Sequence, residues 1–315
     1  MNSNPPHNAD RWGIIYCPTE GSWRTQRRWR RILVHLNLRG VPYDFVQSEG
    51  QGSVERLAAM LTQNGYRTLL VVGGDAALGD ALNGIVGATP AGSDYPTLGI
   101  IPNGVINDFA RYWDFHPAHP EATIDALLCG RTRRVDVGEV RLTTIGGEVL
   151  HRRFLNCVNV GLAASMIKLR RRNHTFWHGL RLLRELSSAF MLLLYRPSTR
   201  MHFTIGAEHY DRRITTLCIG SCHGFGQTPS AVPYNGQLDI SAVKRPTLLH
   251  ALTALSLLFK RRFLSQKGIS VWRTPTIEMS QIGRATVSVD GHAIHHRITR
   301  LTATIRREAI RFMIP

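Results

Sequence analysis

The sequence predicts a two-part fold: an α/β amino-terminal domain with a helix-covered parallel sheet, then a mostly antiparallel β-sandwich or open barrel. Three observations predict it. Strand and helix signals alternate across the first 115 residues. A fully apolar run, Leu69-Leu70-Val71-Val72, leads straight into Gly73-Gly74-Asp75. From about Thr132 the alternation gives way to short strands with few helices between them, and that change of rhythm separates a parallel from an antiparallel architecture.

In order along the first part, Trp12 to Cys17 reads as a strand and Trp23 to Leu38 as a basic amphipathic helix ending near Gly40. Tyr43 to Val46 is a strand, Ser53 to Asn64 a helix with Ser53 as its cap, and Arg67 to Val72 a strand. Ala77 to Val86 is a helix closing with Asn83-Gly84, Thr97 to Ile101 a strand, and Asn107 to Tyr112 the start of a helical turn. In the second part the expected strands are 134–142, 149–160, 200–205, 209–221, 238–243, 270–278 and 285–289, with helices near 177–194 and 247–263. The expected domains are residues 1–130 and 131–296, with 297–315 returning to the first. No internal repeat is evident.

The 315 residues are 43% hydrophobic and 19% charged, a globular composition with material for real cores. Net charge is +17, carried mostly by small arginine clusters such as Arg27-Arg28, Arg30-Arg31 and Arg170-Arg171-Arg172. That field suits phosphate-rich partners, meaning nucleotides, nucleic acid or an anionic membrane face, or it is an ordinary solvated basic surface. Five scattered cysteines (17, 129, 157, 218, 222) point to buried thiols in a reducing compartment rather than a disulfide framework. Cys218, Cys222 and His223 lack a second ligand pair at metal-site spacing. No secretory signal is visible, and the two apolar stretches, 180–195 and 247–259, fall short of the roughly 18 apolar residues of a span.

The chemistry concentrates at two glycine turns. Strand, tight turn, acid and helix start at Gly73-Gly74-Asp75-Ala76-Ala77 form an anion-binding corner, because glycine permits close approach and free helical N–H groups point at the anion. An acid there must hold a metal, receive a proton or cap the helix. A second turn, Pro102-Asn103-Gly104-Val105-Ile106-Asn107-Asp108-Phe109-Ala110-Arg111, again leads from an apolar strand to a helix start, with Asn107 and Asp108 as capping candidates. Two such corners at the carboxyl ends of neighbouring parallel strands define a nucleotide crevice.

These motifs resemble the diacylglycerol kinase catalytic family, which includes soluble bacterial lipid kinases and sphingosine and ceramide kinases, and more distantly the NAD kinases. The family's Gly-Gly-Asp-Gly-Thr signature appears as Gly73 to Ala77, followed by Gly79-Asp80 and Asn83-Gly84. Its Pro-x-Gly-Thr-x-Asn-Asp-Phe-Ala-Arg signature appears as Pro102 to Arg111. Later, Val135-Asp136-Val137-Gly138 with Phe154-Leu155-Asn156 and Gly161, then Asn235-Gly236-Gln237-Leu238-Asp239, then Val289-Asp290-Gly291-His292 resemble successive family segments. The resemblance implies ATP with Mg2+ bound at the glycine turns, and a lipid hydroxyl approaching from between the domains. It implies in-line transfer of the γ-phosphoryl group, driven by positioning and charge neutralisation. Carried over by position, Asp75 and Asp290 are the catalytic carboxylates, with Asp75 also a metal candidate. Gly73, Gly74, Ala76, Gly104, Asn107 and Asp108 line the nucleotide, and Asp239 is a second metal candidate. Arg111 steadies a phosphate or pairs with a surface acid.

The departures from the family pattern cluster at the same turns. Ala76 stands where the family has Gly, which would cost about 1 kcal/mol if the turn required positive φ. Ala77 and Val105 lack the hydroxyls of the family's two Thr, and Asp80 replaces Glu. Asn235 and His292 each remove a negative charge. Each lost hydrogen bond to a charged group is worth about 1.5–3 kcal/mol, and tenfold in rate follows each 1.4 kcal/mol or so. The surplus arginines could compensate, and His292 stands either as a base or phosphate contact or as an ordinary histidine.

Two helical stretches, Ile167 to Tyr195 and Leu248 to Leu264, join basic runs to apolar ones, the pattern either of a peripheral membrane contact or of core packing. The sequence thus predicts an ATP-dependent lipid kinase, cytoplasmic or peripheral at the inner membrane face, with a homodimer left open. A catalytically impaired or regulatory member of the same fold is the alternative. A nucleic-acid binder is the third reading, and no nucleic-acid motif accompanies the charge.

Overall fold

The computed structural model describes residues 8–18, 23–50, 52–174, 198–244 and 268–315. The chain divides into two compact units, Met1–Asp136 with Arg307–Pro315, and Val137–Arg306.

The first unit alternates β1 (Trp12–Tyr16), α1 (Trp23–Leu38), β2 (Tyr43–Gln47), α2 (Ser53–Gln63), β3 (Thr68–Gly73), α3 (Asp75–Ala88) and β4 (Thr97–Pro102), then adds α4 (Asp108–Tyr112) and α5 (Pro120–Leu128). The strands pair in parallel in the order β2-β1-β3-β4. Phe312, near the end of the chain, joins in parallel beside Leu98 of β4. Leu69, Leu70, Val71 and Val72 are wholly buried, as a central parallel strand covered on both faces must be. Helix α1 buries Thr25, Trp29, Ile32 and Leu36, one stripe at helical spacing, and Trp29 stacks on Tyr16 with ring centroids 4.3 Å apart.

Local details differ from expectation for identifiable reasons. Ser53 is not the cap of α2: Gly52, at φ 78°, holds that position. The Ser53 hydroxyl instead donates to the Gly50 carbonyl at 2.6 Å and accepts the Gly50 N–H. Helix α3 begins two residues before Ala77 and continues past Asn83-Gly84 to Ala88. Gly84 is therefore a packing residue, for any Cβ there would collide with the Glu55 carbonyl of α2. Helix α5 was not anticipated, although Pro120 at its first turn is a start signal.

The second unit is built from antiparallel pairs. Its strands are β5 (Thr132–Thr144), which begins in the first unit, β6 (Val149–Phe154), β7 (Cys157–Gly161), β8 (Thr199–Ile205), β9 (Glu208–Gly220), β10 (Leu238–Lys244), β11 (Ile269–Thr274), β12 (Thr276–Gln281), β13 (Val287–Val289), β14 (His292–Ala293) and β15 (Ile298–Met313), which ends in the first unit. Helix α6 (Leu162–His174) follows β7 and begins five residues before the helical stretch expected from Ile167. The first half of β9 pairs with β8 and its second half with β7 and β10. Val158, Val160, Leu217, Ile219, Ile240, Met279 and Leu301 belong to its buried apolar core.

The single strand expected over 149–160 is two, broken at Leu155-Asn156, whose N–H groups are taken by the Asp290 carboxylate instead of a neighbouring strand. The strand expected over 270–278 is broken at Pro275, which has no N–H to give a ladder. The expected helices 177–194 and 247–263, and with them most of the two basic-apolar stretches, lie outside the described residues. Among the described residues no helix is long and apolar enough to cross a membrane.

Candidate functional site

The two glycine turns of the first unit touch each other. A Cβ on Gly104 would lie 2.5 Å from the Gly74 Cα, and one on Gly74 would lie 2.5 Å from the Ile106 carbonyl oxygen. Gly74 itself is extended, at φ −121° and ψ −173°, so proximity rather than conformation demands glycine. The Gly73 carbonyl accepts the N–H groups of Asn103 and Gly104 at 2.7 and 3.0 Å. Ala76 falls inside α3 in ordinary helical conformation. The cost expected from a positive φ there does not arise, and alanine is a favourable helix residue.

Asp75 is buried, and its carboxylate reaches across to the other turn. One oxygen accepts the Asp108 N–H at 2.9 Å, the other the Phe109 N–H at 3.2 Å. Asp75 thereby caps α4, not its own helix, and its own N–H donates to Ile106. Asn107 stands at the N-cap of α4 without capping it by side chain. Its amide instead closes on Gly104, donating to that carbonyl at 2.9 Å and accepting that N–H at 3.1 Å. Asp108 makes a loose ion pair with Arg111 at 3.7 Å.

Sequence reasoning missed three neighbours of this corner. Arg28 of α1 donates to the buried Asn103 side chain at 3.2 Å, which sets a guanidinium beside the second turn. Asn103 also donates to the Thr25 carbonyl. Cys17 lies next to Gly73 and Ala77. Burial pushes the Cys17 thiol up to about 12, with a Ser48 hydrogen bond opposing and the nearby Asp80 charge adding. Asp80 is half-buried. Arg28 was visible as part of a basic cluster, but only helix packing selects it from its arginine neighbours.

In the second unit Asp290 sits at φ 44° and is buried. Its carboxylate accepts three backbone N–H groups, from Leu155 at 2.8 Å, Asn156 at 2.9 Å and Cys157 at 2.8 Å. Burial pushes the carboxyl up to about 6, against the downward pull of those donors and of His292. Asp136 accepts the Glu308 N–H at 2.8 Å, tying β5 to β15 in the first unit. Asn235 accepts the Gln237 N–H, closing a turn in which Gly236 has φ 68°.

Asp239 does not fit a metal ligand. It is buried with both oxygens on Arg273, at 2.6 and 3.0 Å, and one also on the Ser230 hydroxyl at 2.8 Å. The arginine pair and the Ser230 bond occupy three of the roughly four acceptor sites of the carboxylate and already neutralise its charge. Among the described residues no three His, Cys, Asp or Glu side chains gather to hold a metal, and all five cysteines are free.

Residues 11–140 match the diacylglycerol kinase catalytic domain family. The chain is similar to a diacylglycerol kinase of Staphylococcus saprophyticus, 33% identical over 127 residues that cover 40% of each protein. It is also similar to one of Staphylococcus aureus strain MRSA252, 30% identical over 127 residues, 40% of this chain and 39% of that one. The match thus spans about two fifths of these relatives' length. A solved Bacillus anthracis strain Sterne protein assigned as a diacylglycerol kinase aligns with TM-score 0.72 and 18% identity over 97% of both chains. Yeast NADH kinase aligns with TM-score 0.54 and 9% identity, over 98% of this chain and 84% of that one. At these identities the structural likeness establishes the fold.

Proposed function

We propose, from the match of residues 11–140 to the diacylglycerol kinase catalytic domain family, that the chain is an ATP-dependent lipid kinase acting on diacylglycerol, a sphingoid base or a related lipid alcohol. The observation that carries this reading is the pair of glycine turns held backbone to backbone and pinned by Asp75. Such a corner offers preorganised backbone dipoles to a phosphate at no reorganisation cost.

In this reading Gly73, Gly74, Ala76, Gly104, Asn107 and Asp108 line the phosphates, and the Arg28 guanidinium supplies charge where Ala77 and Val105 supply no hydroxyl. The lipid hydroxyl oxygen bonds to the γ-phosphorus, the bond from that phosphorus to the bridging oxygen breaks, and ADP leaves. The hydroxyl proton passes to a carboxylate, Asp75 or Asp290. A carboxyl pushed up to about 6 exchanges protons near neutral pH, as a general base must. Mg2+ would come with the nucleotide and would screen the phosphate charge, with Asp75 the carboxylate of this corner that would hold it; such ions are commonly held by one or two carboxylates plus substrate phosphates. Asp80, Arg111 and His292 are proposed to tune this field rather than to touch the reacting atoms. A cytoplasmic enzyme working at the membrane face belongs to the same reading.

A second reading, a nucleotide-binding regulatory member of the fold, is favoured by one observation. Both Asp75 oxygens are already engaged by α4, beside turns that lack two hydroxyls. Transfer of radiolabelled phosphate from ATP to a lipid panel, wild type against Asp75→Asn, separates the two. Transfer by the wild type that is lost in the variant is expected. Thermal stabilisation by ATP and magnesium with no transfer to any lipid would select the regulatory reading.

A further inference from the structure

The pair of Asp239 and Arg273 gathers more oxygen than an ion pair needs. Asp239 of β10 stands directly opposite Arg273 of β11 in antiparallel register, so the two side chains share one face of the sheet. On its other side Asp239 faces Gly220 of β9, which brings no side chain. A Cβ on Gly220 would lie 2.1 Å from the Thr228 hydroxyl. Three oxygens meet the guanidinium: Asp239 Oδ1 at 2.6 Å from Nε, Asp239 Oδ2 at 3.0 Å from Nη2, and the Ser230 carbonyl at 3.3 Å from Nη2. Carboxylate and main-chain carbonyl oxygens are the ligands that hard divalent cations collect.

Burial is uneven across the pair: the Asp239 side chain is 3% exposed and that of Arg273 51%. The guanidinium therefore caps a dry carboxylate from the solvent side, where a hydrated metal ion would keep its waters. The segment it closes carries backbone strain. Gly224, Phe225 and Gly226 follow one another at φ 55°, 56° and 82°, a left-handed run that costs a bulky side chain such as Phe225. One end of the segment is fastened where Asn156 accepts the Gly224 N–H at 2.8 Å. The other end is fastened where the Ser230 hydroxyl donates to Asp239 at 2.8 Å. Asn156 also gives its own N–H to Asp290.

We propose that Arg273 is a tethered cation filling what is otherwise a divalent-cation site, so that this segment of the second unit closes without metal. The guanidinium does with N–H donors what an ion would do by coordination: it neutralises Asp239 and draws the Ser230 carbonyl to the same point. Removing the arginine leaves a buried carboxylate uncompensated, beside a main-chain carbonyl and open to solvent on one side. That oxygen set takes Ca2+ in preference to Mg2+. Calcium accepts irregular sets of oxygens, whereas magnesium demands near-ideal octahedral geometry. Neither nucleotide nor lipid enters the test, so failure here leaves the lipid-kinase reading untouched, and the reverse holds as well.

The test is the melting temperature of the full chain in EDTA, in calcium chloride, in magnesium chloride, and in sodium chloride of matched ionic strength. Wild type should respond to calcium no more than to sodium. R273A should melt several degrees lower in EDTA. Calcium at about 10 mM should recover roughly half or more of that loss, as a ligand of the folded state alone does, and magnesium should recover less. Sodium should recover none of it, which separates coordination from screening. The double variant D239N/R273A, without the carboxylate, should gain nothing from calcium. Should R273A fail to fold by circular dichroism, R273Q keeps a neutral donor and carries the same comparison. The proposal is overturned by an R273A that melts as wild type does, or by arginine variants that calcium does not raise. Calcium stabilisation of wild type equal to that of R273A, or equal rescue in D239N/R273A, overturns it too.

Discussion

Gly74 and Gly104 pack backbone against backbone, with room for a Cβ on neither. Gly104→Ala must push the turns apart, and overpacking of this kind costs about 1–3 kcal/mol. A fall in melting temperature of several degrees is expected, with loss of ATP-dependent stabilisation. An unchanged melting curve would mean that the turns are not in contact.

Asp75 joins the same two turns through the N–H groups of Asp108 and Phe109. Asp75→Ala strands both donors and should cost about 1–3 kcal/mol in urea unfolding. Asp75→Asn keeps one acceptor and should cost less. Equal stability for wild type and both variants would remove the structural role and leave only a chemical one.

Arg28 should matter for nucleotide more than for folding. Arg28→Gln keeps a donor for Asn103 but loses the charge, and ATP binding measured calorimetrically should weaken about tenfold. Unaltered ATP affinity would show that the guanidinium does not meet the phosphates.

Asp239→Asn tests a pairing against a metal site. Breaking the pair with Arg273, half-exposed on the arginine side, should cost about 1–3 kcal/mol, less than a fully buried pair would. The magnesium dependence of nucleotide binding should not move. A several-fold shift in the magnesium midpoint would restore Asp239 as a ligand.

Asp290 carries a pH signature. Its carboxyl lies above its ordinary range, at about 6, because burial outweighs three N–H donors. A raised folded-state pKa means that the folded protein holds the proton more tightly. The group's stabilising contribution is complete below about pH 4 and is lost as pH rises through about 6. The stability of wild type minus that of Asp290→Asn, from urea unfolding at several pH values, should therefore decline across that window. A difference that grows with pH would mean that the hydrogen bonds prevail over burial.

The legible parts of this protein were those set by local pattern. The apolar run before Gly73 marked a central parallel strand because a strand covered on both faces needs no polar alternation. The apolar stripe of α1 defined a helix with the bounds Trp23 and Leu38. The break at Leu155-Asn156 and the start of α6 at Leu162 were not legible. The first depends on Asp290, more than a hundred residues away, intercepting the ladder. Asp239 stood as a metal candidate because its pairing with Arg273, remote in sequence, is made only on folding.

The sequence by itself determined the alternation of strands and helices from β1 to β4, the antiparallel character of the second half and the two glycine turns within the stretch that matches the diacylglycerol kinase catalytic domain family. Periodicity and glycine placement carry that information locally. Only the tertiary structure decided what the acids do: Asp75 caps a neighbouring helix, Asp239 pairs with Arg273, and Asp290 holds three backbone donors. A carboxylate's role follows from which donors surround it and how much water is excluded, and both are properties of contacts that folding brings together.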